Sequence, residues 1–207
     1  MKRIYYVLYC LLILTICSIE ASASATAWGW GRNSSGQIGN NSLEDLKKLV
    51  RIGKNDIWFK ISCGNEHTVA IRTDGTLWAW GNNKDGQLGD GTQIDEIEPV
   101  QIGMDTDWLE VECGFSHTLA IKTNGTLWAW GYNNKGQLGD NTNVTKLFPF
   151  KLSNDKWKAI ACGSYYSVAL KADGTLWAWG DNNYGQLGVG NWINTTYPVK
   201  IGNEVNW

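Results

Sequence analysis

Basic residues and catalytic residue types are scarce in this chain, and both shortages exclude functions. The 207 residues carry 18 lysines and arginines against 20 acids, with no basic run after Arg3. The positive surface that nucleic acid or an anionic membrane requires is therefore missing. Only two histidines are present, His67 and His117, and neither belongs to a recognisable nucleophile motif. We therefore expect neither an enzyme nor a nucleic-acid-binding protein.

Paired or clustered cysteines are also lacking. Five cysteines are present, and the three beyond the N-terminal 25 residues, Cys63, Cys113 and Cys162, each precede a glycine in a separate part of the chain. Metal sites gather their ligands at short spacing, and disulfides need partners. This spacing predicts buried free thiols, with no metal and no cofactor.

The N-terminus has the features of an export signal. Lys2 and Arg3 precede an uncharged apolar run from Ile4 to Ile19, which is followed by small residues up to Ala25. This order of basic, apolar and small-residue regions is typical of a cleaved signal peptide. The apolar run is shorter than the ~20 residues of a membrane-spanning helix. We predict a signal peptide at 1–25 and a secreted, periplasmic or extracellular protein, with no membrane contact beyond the export signal.

A long motif repeats through the rest of the chain. The segment TLWAWGNNKDGQLGDGT at 76–92 has closely similar copies that begin at Thr26, Thr126 and Thr175. Twelve of the 13 tryptophans fall at repeat positions, and only Trp192 lies outside them. Repetition with a period of about 50 residues indicates a stacked repeat architecture.

Each repeat contains four short runs of strand type. In the first complete unit they are 58–63, 68–73, 76–80 and 99–102. Asp74-Gly75 lies between the second and third runs, and Asn124-Gly125 and Asp173-Gly174 occupy the same place in later units. Such dipeptides favour a two-residue hairpin turn in which both residues have positive φ. Each unit is therefore predicted to be an antiparallel meander.

Both faces of the predicted sheets are apolar. In Leu77-Trp78-Ala79-Trp80 one face shows two indoles and the other shows leucine and alanine. An antiparallel sheet with one solvated face would alternate apolar and polar residues instead. Radial stacking covers both faces, with the tryptophan face of one sheet against the small-residue face of the next. The pattern therefore favours an all-β protein, a β-propeller of four-stranded antiparallel blades.

The repeat resembles a known family. Segments such as CGNEHTVAIRTDGTLWAWGNNKDGQLG at 63–89 are similar to the regulator of chromosome condensation repeat, and the resemblance covers nearly all of 26–207. It implies a propeller that usually has seven blades. This chain has about three and a half: a partial unit at 26–57, then 58–107, 108–156 and 157–206. We expect a fragment or early-ended reading frame, two copies completing one ring as a homodimer, or an open or smaller ring.

Function is expected at the positions that differ between repeats, because propellers bind through their loops. The recurring glycines and asparagines have the character of a structural frame. A histidine that recurs in two blades and is replaced by Tyr166 in the third favours a structural role. Aromatic side chains on a rigid rim are typical of protein-binding hot spots. The candidate partner-binding residues are Trp192, Tyr132, Phe115, Tyr165 and Tyr184.

The leading hypothesis is a secreted, non-enzymatic repeat module that binds a protein or surface ligand through its loops. The alternative that the resemblance implies is a guanine-nucleotide exchange factor for a small GTPase. That activity requires a protein that is not exported, and the predicted signal peptide argues against it.

Overall fold

A computed structural model describes residues 5–10 as backbone, and residues 26–53, 57–205 and 207 in full. Apart from the strand Tyr5–Cys10, the predicted signal peptide lies outside the described residues. The described part of the chain contains no helix long and apolar enough to span a membrane.

The described chain consists of 15 strands in four sheets. The first sheet contains β1 (Tyr5–Cys10), β2 (Thr26–Gly31) and β3 (Leu46–Ile52). The second contains β4 (Trp58–Cys63), β5 (His67–Arg72), β6 (Leu77–Gly81) and β7 (Glu96–Gln101). The third contains β8 (Trp108–Cys113), β9 (His117–Lys122), β10 (Leu127–Gly131) and β11 (Lys146–Lys151). The fourth contains β12 (Trp157–Cys162), β13 (Tyr166–Lys171), β14 (Leu176–Gly180) and β15 (Thr195–Ile201).

The second, third and fourth sheets are four-stranded antiparallel meanders, as the sequence predicts. In the first sheet β2 and β3 pair in the same way, whereas β1 pairs with β2 in parallel. The four runs predicted for the unit 58–107 match β4 to β7 within a few residues, because each run is bounded by glycine or by a polar loop. The architecture of partial propeller blades is confirmed.

The predicted type of hairpin turn is wrong. Gly75 has φ +80°, but Asp74 does not have positive φ. The amide N–H of Gly75 donates to the carbonyl of Arg72 at 2.9 Å, and that of Arg72 donates to the carbonyl of Thr76 at 2.9 Å. These bonds describe a type I turn followed by a left-handed glycine, a three-residue hairpin loop. Asp74 instead caps the turn by accepting hydrogen bonds from the N–H and hydroxyl of Thr76.

The core lies between sheets, with an indole face against an aliphatic face at each junction. Between the second and third sheets, Val69, Ile71, Leu77 and Ala79 pack against residues of the next sheet that include Trp108, Val111 and Trp130. The same arrangement joins the third sheet to the fourth and the first to the second. The predicted packing of a tryptophan face against a small or aliphatic face is present in all three junctions.

A carbonyl oxygen holds each pair of neighbouring sheets together, an arrangement we call the inter-sheet clamp. The Gln87 carbonyl accepts 2.9 Å hydrogen bonds from Trp130 Nε1 and from the Thr118 hydroxyl, both in the next sheet. Gln37 and Gln137 accept the equivalent bonds at the other two junctions. Three of the four largest fully buried side chains, Trp80, Trp130 and Trp179, are the indoles of these clamps.

Gly89→Ala is expected to lower the free energy of unfolding by about 2–5 kcal/mol, because it combines backbone strain with a clash in the core. Gly89 has φ +81°, and an added Cβ would lie 2.7 Å from Trp130 Nε1. Urea denaturation measures the loss. The matched control is Gly190→Ala, where φ is +79° and nothing lies within 4 Å, so only about 1–2 kcal/mol of strain is expected. Equal losses in the two variants would refute the packing argument.

Candidate functional site

The loops that vary between repeats meet on one edge of the sheets. The loop from the first to the second strand of a sheet and the loop from the third to the fourth strand lie at the same end of an antiparallel meander. They span 64–66, 114–116 and 163–165, and 32–45, 82–95, 132–145 and 181–194. We call this edge the loop face.

A buried asparagine holds each long loop in shape. Asn83 is fully buried, its Oδ1 accepts from the amide N–H of Leu88 at 3.0 Å, and its Nδ2 donates to Asp90 Oδ1 at 2.9 Å. Asn33, Asn133 and Asn182 bond to the same backbone position of their own loops. These asparagines therefore form the rigid frame on which the variable residues are displayed.

The two histidines belong to the same frame. Both are fully buried, and Nε2 of His67 lies 3.3 Å from the Thr118 hydroxyl, while Nε2 of His117 lies 3.0 Å from the Ser167 hydroxyl. Each hydroxyl donates its single hydrogen to a clamp carbonyl. The hydroxyl must therefore accept from Nε2–H, which fixes the tautomer. Burial lowers the pKa of both imidazoles to about 3, so at neutral pH they are uncharged structural groups.

One pair of loop positions faces across every junction, and its chemistry changes from junction to junction. At the first junction Arg32 Nη2 forms an ion pair with Glu66 Oε1 at 2.9 Å. The equivalent residues at the second junction are Asn82 and Ser116. At the third junction they are Tyr132 and Tyr165, whose ring centroids lie 6.0 Å apart. Within each four-stranded sheet the same two loop positions are joined by a backbone hydrogen bond of 2.7–2.8 Å, so the frame recurs and only the side chains differ.

Three of the predicted site residues come together at the third junction. Phe115 and Tyr165 have ring centroids 5.4 Å apart, and their planes are inclined at 33°. Tyr132 also contacts Tyr165, with an angle of 59° between the two ring planes. Phe115 is 40% exposed, and the two tyrosines are partly buried. We call Phe115, Tyr132 and Tyr165 the aromatic cluster. It contains side chains from both the third and fourth sheets.

The other two predicted residues lie in the long loop of the fourth sheet. Tyr184 is 86% exposed and Trp192 is 70% exposed. The Trp192 ring lies over Gly185, where an added Cβ would be 3.1 Å from Cζ3 of the indole. No ring contact joins these two residues to the aromatic cluster among the described residues. They remain candidates as a separate exposed group.

Gln137 is a residue of this region that the sequence analysis did not single out. In the second and fourth sheets the equivalent amides donate through Nε2 to the residue after the repeated Trp-Gly: Gln87 to Asn82 at 2.8 Å, and Gln186 to Asp181 at 2.7 Å. In the third sheet that position holds Tyr132, and the buried Nε2 of Gln137 has no hydrogen-bond partner among the described residues.

The orientation of Gln137 nevertheless follows the repeat. Its Oε1 accepts from the amide N–H of Lys135 at 2.9 Å, as Gln87 Oε1 accepts from Asp85 and Gln186 Oε1 accepts from Tyr184. Its Nε2 therefore points toward the side chain of Tyr132. The sequence carries a signal of this difference: Tyr132 occupies the position where the neighbouring repeats have Asn82 and Asp181, whose side chains can accept a hydrogen bond.

Two of the three cysteines in the described repeats have thiols of low reactivity. Cys113 and Cys162 are free thiols, as predicted; Cys113 is buried, whereas Cys63 and Cys162 are only partly buried, contrary to the expectation of buried thiols. Burial raises the pKa of Cys113 to about 12 and raises that of Cys162 well above its usual range. Thiols with such values are protonated at neutral pH and are poor nucleophiles. No group of three or more His, Cys, Asp or Glu residues in the described chain is arranged to hold a metal.

Comparison with known proteins places the architecture in context. The model of the RCC1-like domain matches residues 16–206. The fold is similar to that of Prp20p from Saccharomyces cerevisiae, at 25% identity over 84% of this chain and 45% of that chain, with a TM-score of 0.73. It is also similar to human WBSCR16, at 23% identity over 84% of this chain and 47% of that chain, with a TM-score of 0.72.

A second structure of the yeast protein, bound to Kap60, gives 24% identity over 84% of this chain and 44% of that chain, with a TM-score of 0.74. The chain thus spans less than half the length of each of these solved structures. No curated protein matches it.

Proposed function

Because the chain belongs to the RCC1-like domain family, we propose that it is a non-enzymatic module that binds a protein or surface ligand through its loop face. The observation that carries the proposal is the aromatic cluster, which gathers three residues from two sheets at one junction. Solved relatives support a protein partner, since Prp20p is described by its binding to Gsp1p and histones, and the yeast protein is seen bound by Kap60.

The cluster has the properties of a binding hot spot. Aromatic side chains supply large apolar contact areas at low conformational-entropy cost, and they dominate the energies of protein interfaces. Hydrogen bonds fix the backbone that carries them. Asn133 holds the long loop of Tyr132, the N–H of Phe115 donates to the Ser164 carbonyl at 3.1 Å, and the Tyr165 carbonyl accepts from the N–H of Asp181 at 2.8 Å. By contrast, the equivalent pair at the first junction is a charged pair that satisfies itself.

Tyr165→Ser is expected to reduce partner binding at least about tenfold, because Tyr165 contacts both other rings of the cluster. Affinity capture from the medium around the producing cells, with quantitative mass spectrometry, compares the variant with the natural protein. Tyr197→Ser is the matched control, since this exposed tyrosine lies on β15, outside the loops of the loop face. A partner retained equally by Tyr165→Ser, or lost equally in both variants at unchanged melting temperature, would contradict the proposal.

A second candidate function is nucleotide exchange on a small GTPase, which the likeness to Prp20p favours. The test is the release of fluorescent GDP from Gsp1p in the presence of the chain. Acceleration of release that disappears in Tyr165→Ser would assign this activity to the loop face. An unchanged release rate at high chain concentration would leave the binding module as the function.

We also propose that the protein is exported, on the basis of residues 1–25. We further propose that a second copy or further blades pack against the outer sheets. Val168, Leu170 and Leu176 on the fourth sheet are only partly buried, whereas their equivalents Val69, Ile71 and Leu77 are fully buried. Mass spectrometry of the secreted product gives the N-terminal residue, with Thr26 expected. Light scattering of the purified product gives the number of copies.

A further inference from the structure

Tyr132 breaks a bond that the neighbouring repeats keep. The Nε2 group of Gln137 is buried and without a partner among the described residues. By analogy with Gln87 and Gln186, we infer that it faces the side chain of Tyr132. A buried donor without an acceptor costs stability, and native proteins keep few of them. Departures from the rules of a fold concentrate where the chain performs a function. Among the four equivalent glutamines of the described chain, Gln137 is the one whose Nε2 is buried without a partner, and its repeat contributes two of the three rings of the aromatic cluster.

The unpartnered Nε2 of Gln137 and the rings of the aromatic cluster define the chemistry of a ligand that could bind here. The Oε1 atom of Gln137 accepts from the N–H of Lys135, so the atom of this amide that is left without a partner is the donor Nε2. Tyr132, whose position corresponds to the acceptor of the neighbouring repeats, belongs to the aromatic cluster with Tyr165 and Phe115. The complementary group is an oxygen acceptor joined to an apolar body that brings no donor of its own.

An extended peptide segment that contains proline has this chemistry. Proline lacks an N–H, its ring is apolar, and the carbonyl groups of an extended polyproline helix are not used internally. Aromatic grooves with a side-chain donor are a recurrent way to recognise such segments. A neutral sugar fits less well, because its hydroxyls need acceptors as well as donors.

We propose that the aromatic cluster binds an extended, proline-containing segment of a partner protein. A proline ring packs against Phe115 and Tyr165, and the Tyr132 ring turns aside so that a peptide carbonyl accepts a hydrogen bond from Gln137 Nε2. This inference rests on the proposed binding function and adds the class of ligand and the role of Gln137. Tyr132 is the residue that decides specificity, since replacing it by an acceptor would close the site.

The test uses a terminally blocked oligoproline peptide as the probe and nuclear magnetic resonance of the full chain labelled with ¹⁵N. The side-chain NH₂ signals of Gln137 are expected to shift on titration, whereas those of Gln87 and Gln186 stay in place because Asn82 and Asp181 hold them. A blocked peptide of glycine and serine of the same length is the control probe and is expected to leave Gln137 unshifted.

Tyr132→Asn separates the proposed role from a structural one. The asparagine can accept from Gln137 as Asn82 does from Gln87, so the melting temperature is expected to stay level or rise, while oligoproline binding weakens at least about tenfold. Asn82→Tyr is the reverse change in the second sheet and is expected to lower the melting temperature. A Tyr132→Asn variant that keeps oligoproline affinity, or that is clearly less stable than the natural chain, would overturn the inference.

The two proposals can fail separately. A Gln137 signal that ignores oligoproline at millimolar concentration would refute the ligand class, while loss of a captured partner in Tyr165→Ser would still support binding by the loop face. A Gln137 signal that shifts with a neutral oligosaccharide instead of oligoproline would also refute the peptide proposal.

Discussion

Trp130→Ala is expected to lower the free energy of unfolding by about 3–5 kcal/mol, the usual cost of removing a buried aromatic side chain. Trp130 is fully buried and packs between Leu88 of the second sheet and Trp108 of its own. The change would leave a cavity at the junction and would remove one of the two donors to the Gln87 carbonyl. Urea denaturation followed by circular dichroism measures the loss as a lower midpoint.

Two further substitutions separate the causes of the loss expected for Trp130→Ala. Trp130→Phe keeps most of the ring but loses the N–H, so a smaller loss of about 1–2 kcal/mol is expected from the clamp bond. Trp192→Ala removes an indole that is 70% exposed and should change stability by less than about 0.5 kcal/mol. If Trp130→Ala were no more damaging than Trp192→Ala, the junction would not be the source of stability.

Acidification from pH 6.5 to 4.5 is expected to destabilise the fold by about 5 kcal/mol through the two histidines. Burial lowers the pKa of His67 and His117 from 6.5 to about 3, and for His67 the nearby His117 lowers it further. Below pH 6.5 the unfolded chain binds two protons that the folded chain does not. Stability therefore falls with pH, at a slope that approaches about 1.4 kcal/mol per unit for each imidazole well below pH 6.5; about one unit above pH 6.5 this contribution becomes constant.

Denaturant midpoints at several pH values in this window measure the dependence. The control is the double variant His67→Gln, His117→Gln, which cannot gain the charge; it is expected to be less stable at pH 7 but nearly flat between pH 6.5 and 4.5. The window ends at 4.5 because the pKa values of Asp74, Asp140 and Asp173 are lowered by their hydrogen bonds, and these carboxylates add their own loss in stronger acid. An unchanged slope in the double variant would show that other groups cause it.

The sequence predicts most of the fold, because the repeat states each feature several times. Four copies of one motif locate β2 in the first sheet and the third strand of each other sheet, and the alternation of indole with leucine or alanine predicts that both faces are covered. The type of turn was predicted wrongly from Asp74-Gly75. That dipeptide occurs in two-residue and in three-residue loops, and only the pairing of Arg72 with Thr76 distinguishes them.

The candidate site was predictable only in part. The comparison of repeats finds Phe115, Tyr132 and Tyr165 as variable aromatics, but it cannot show that they meet, because they belong to three loops of two sheets. Gln137 escaped notice since glutamine occurs at that position in every repeat. What differs is the acceptor of the side-chain Nε2, which Gln87 and Gln186 have and Gln137 lacks among the described residues.

The position of Gln137 gives the aromatic cluster an unusual dependence on assembly. The carbonyl of this residue is held by Trp179 and Ser167 of the fourth sheet, while its side-chain amide accepts from Lys135 in the long loop of the third sheet. Neither sheet alone forms the site, so a ligand that binds there also favours the docked state of the two sheets over the separated one. By thermodynamic linkage, ligand binding stabilises the docked arrangement of the two sheets. Separation of the fourth sheet from the third would therefore release the ligand even if each sheet stayed folded.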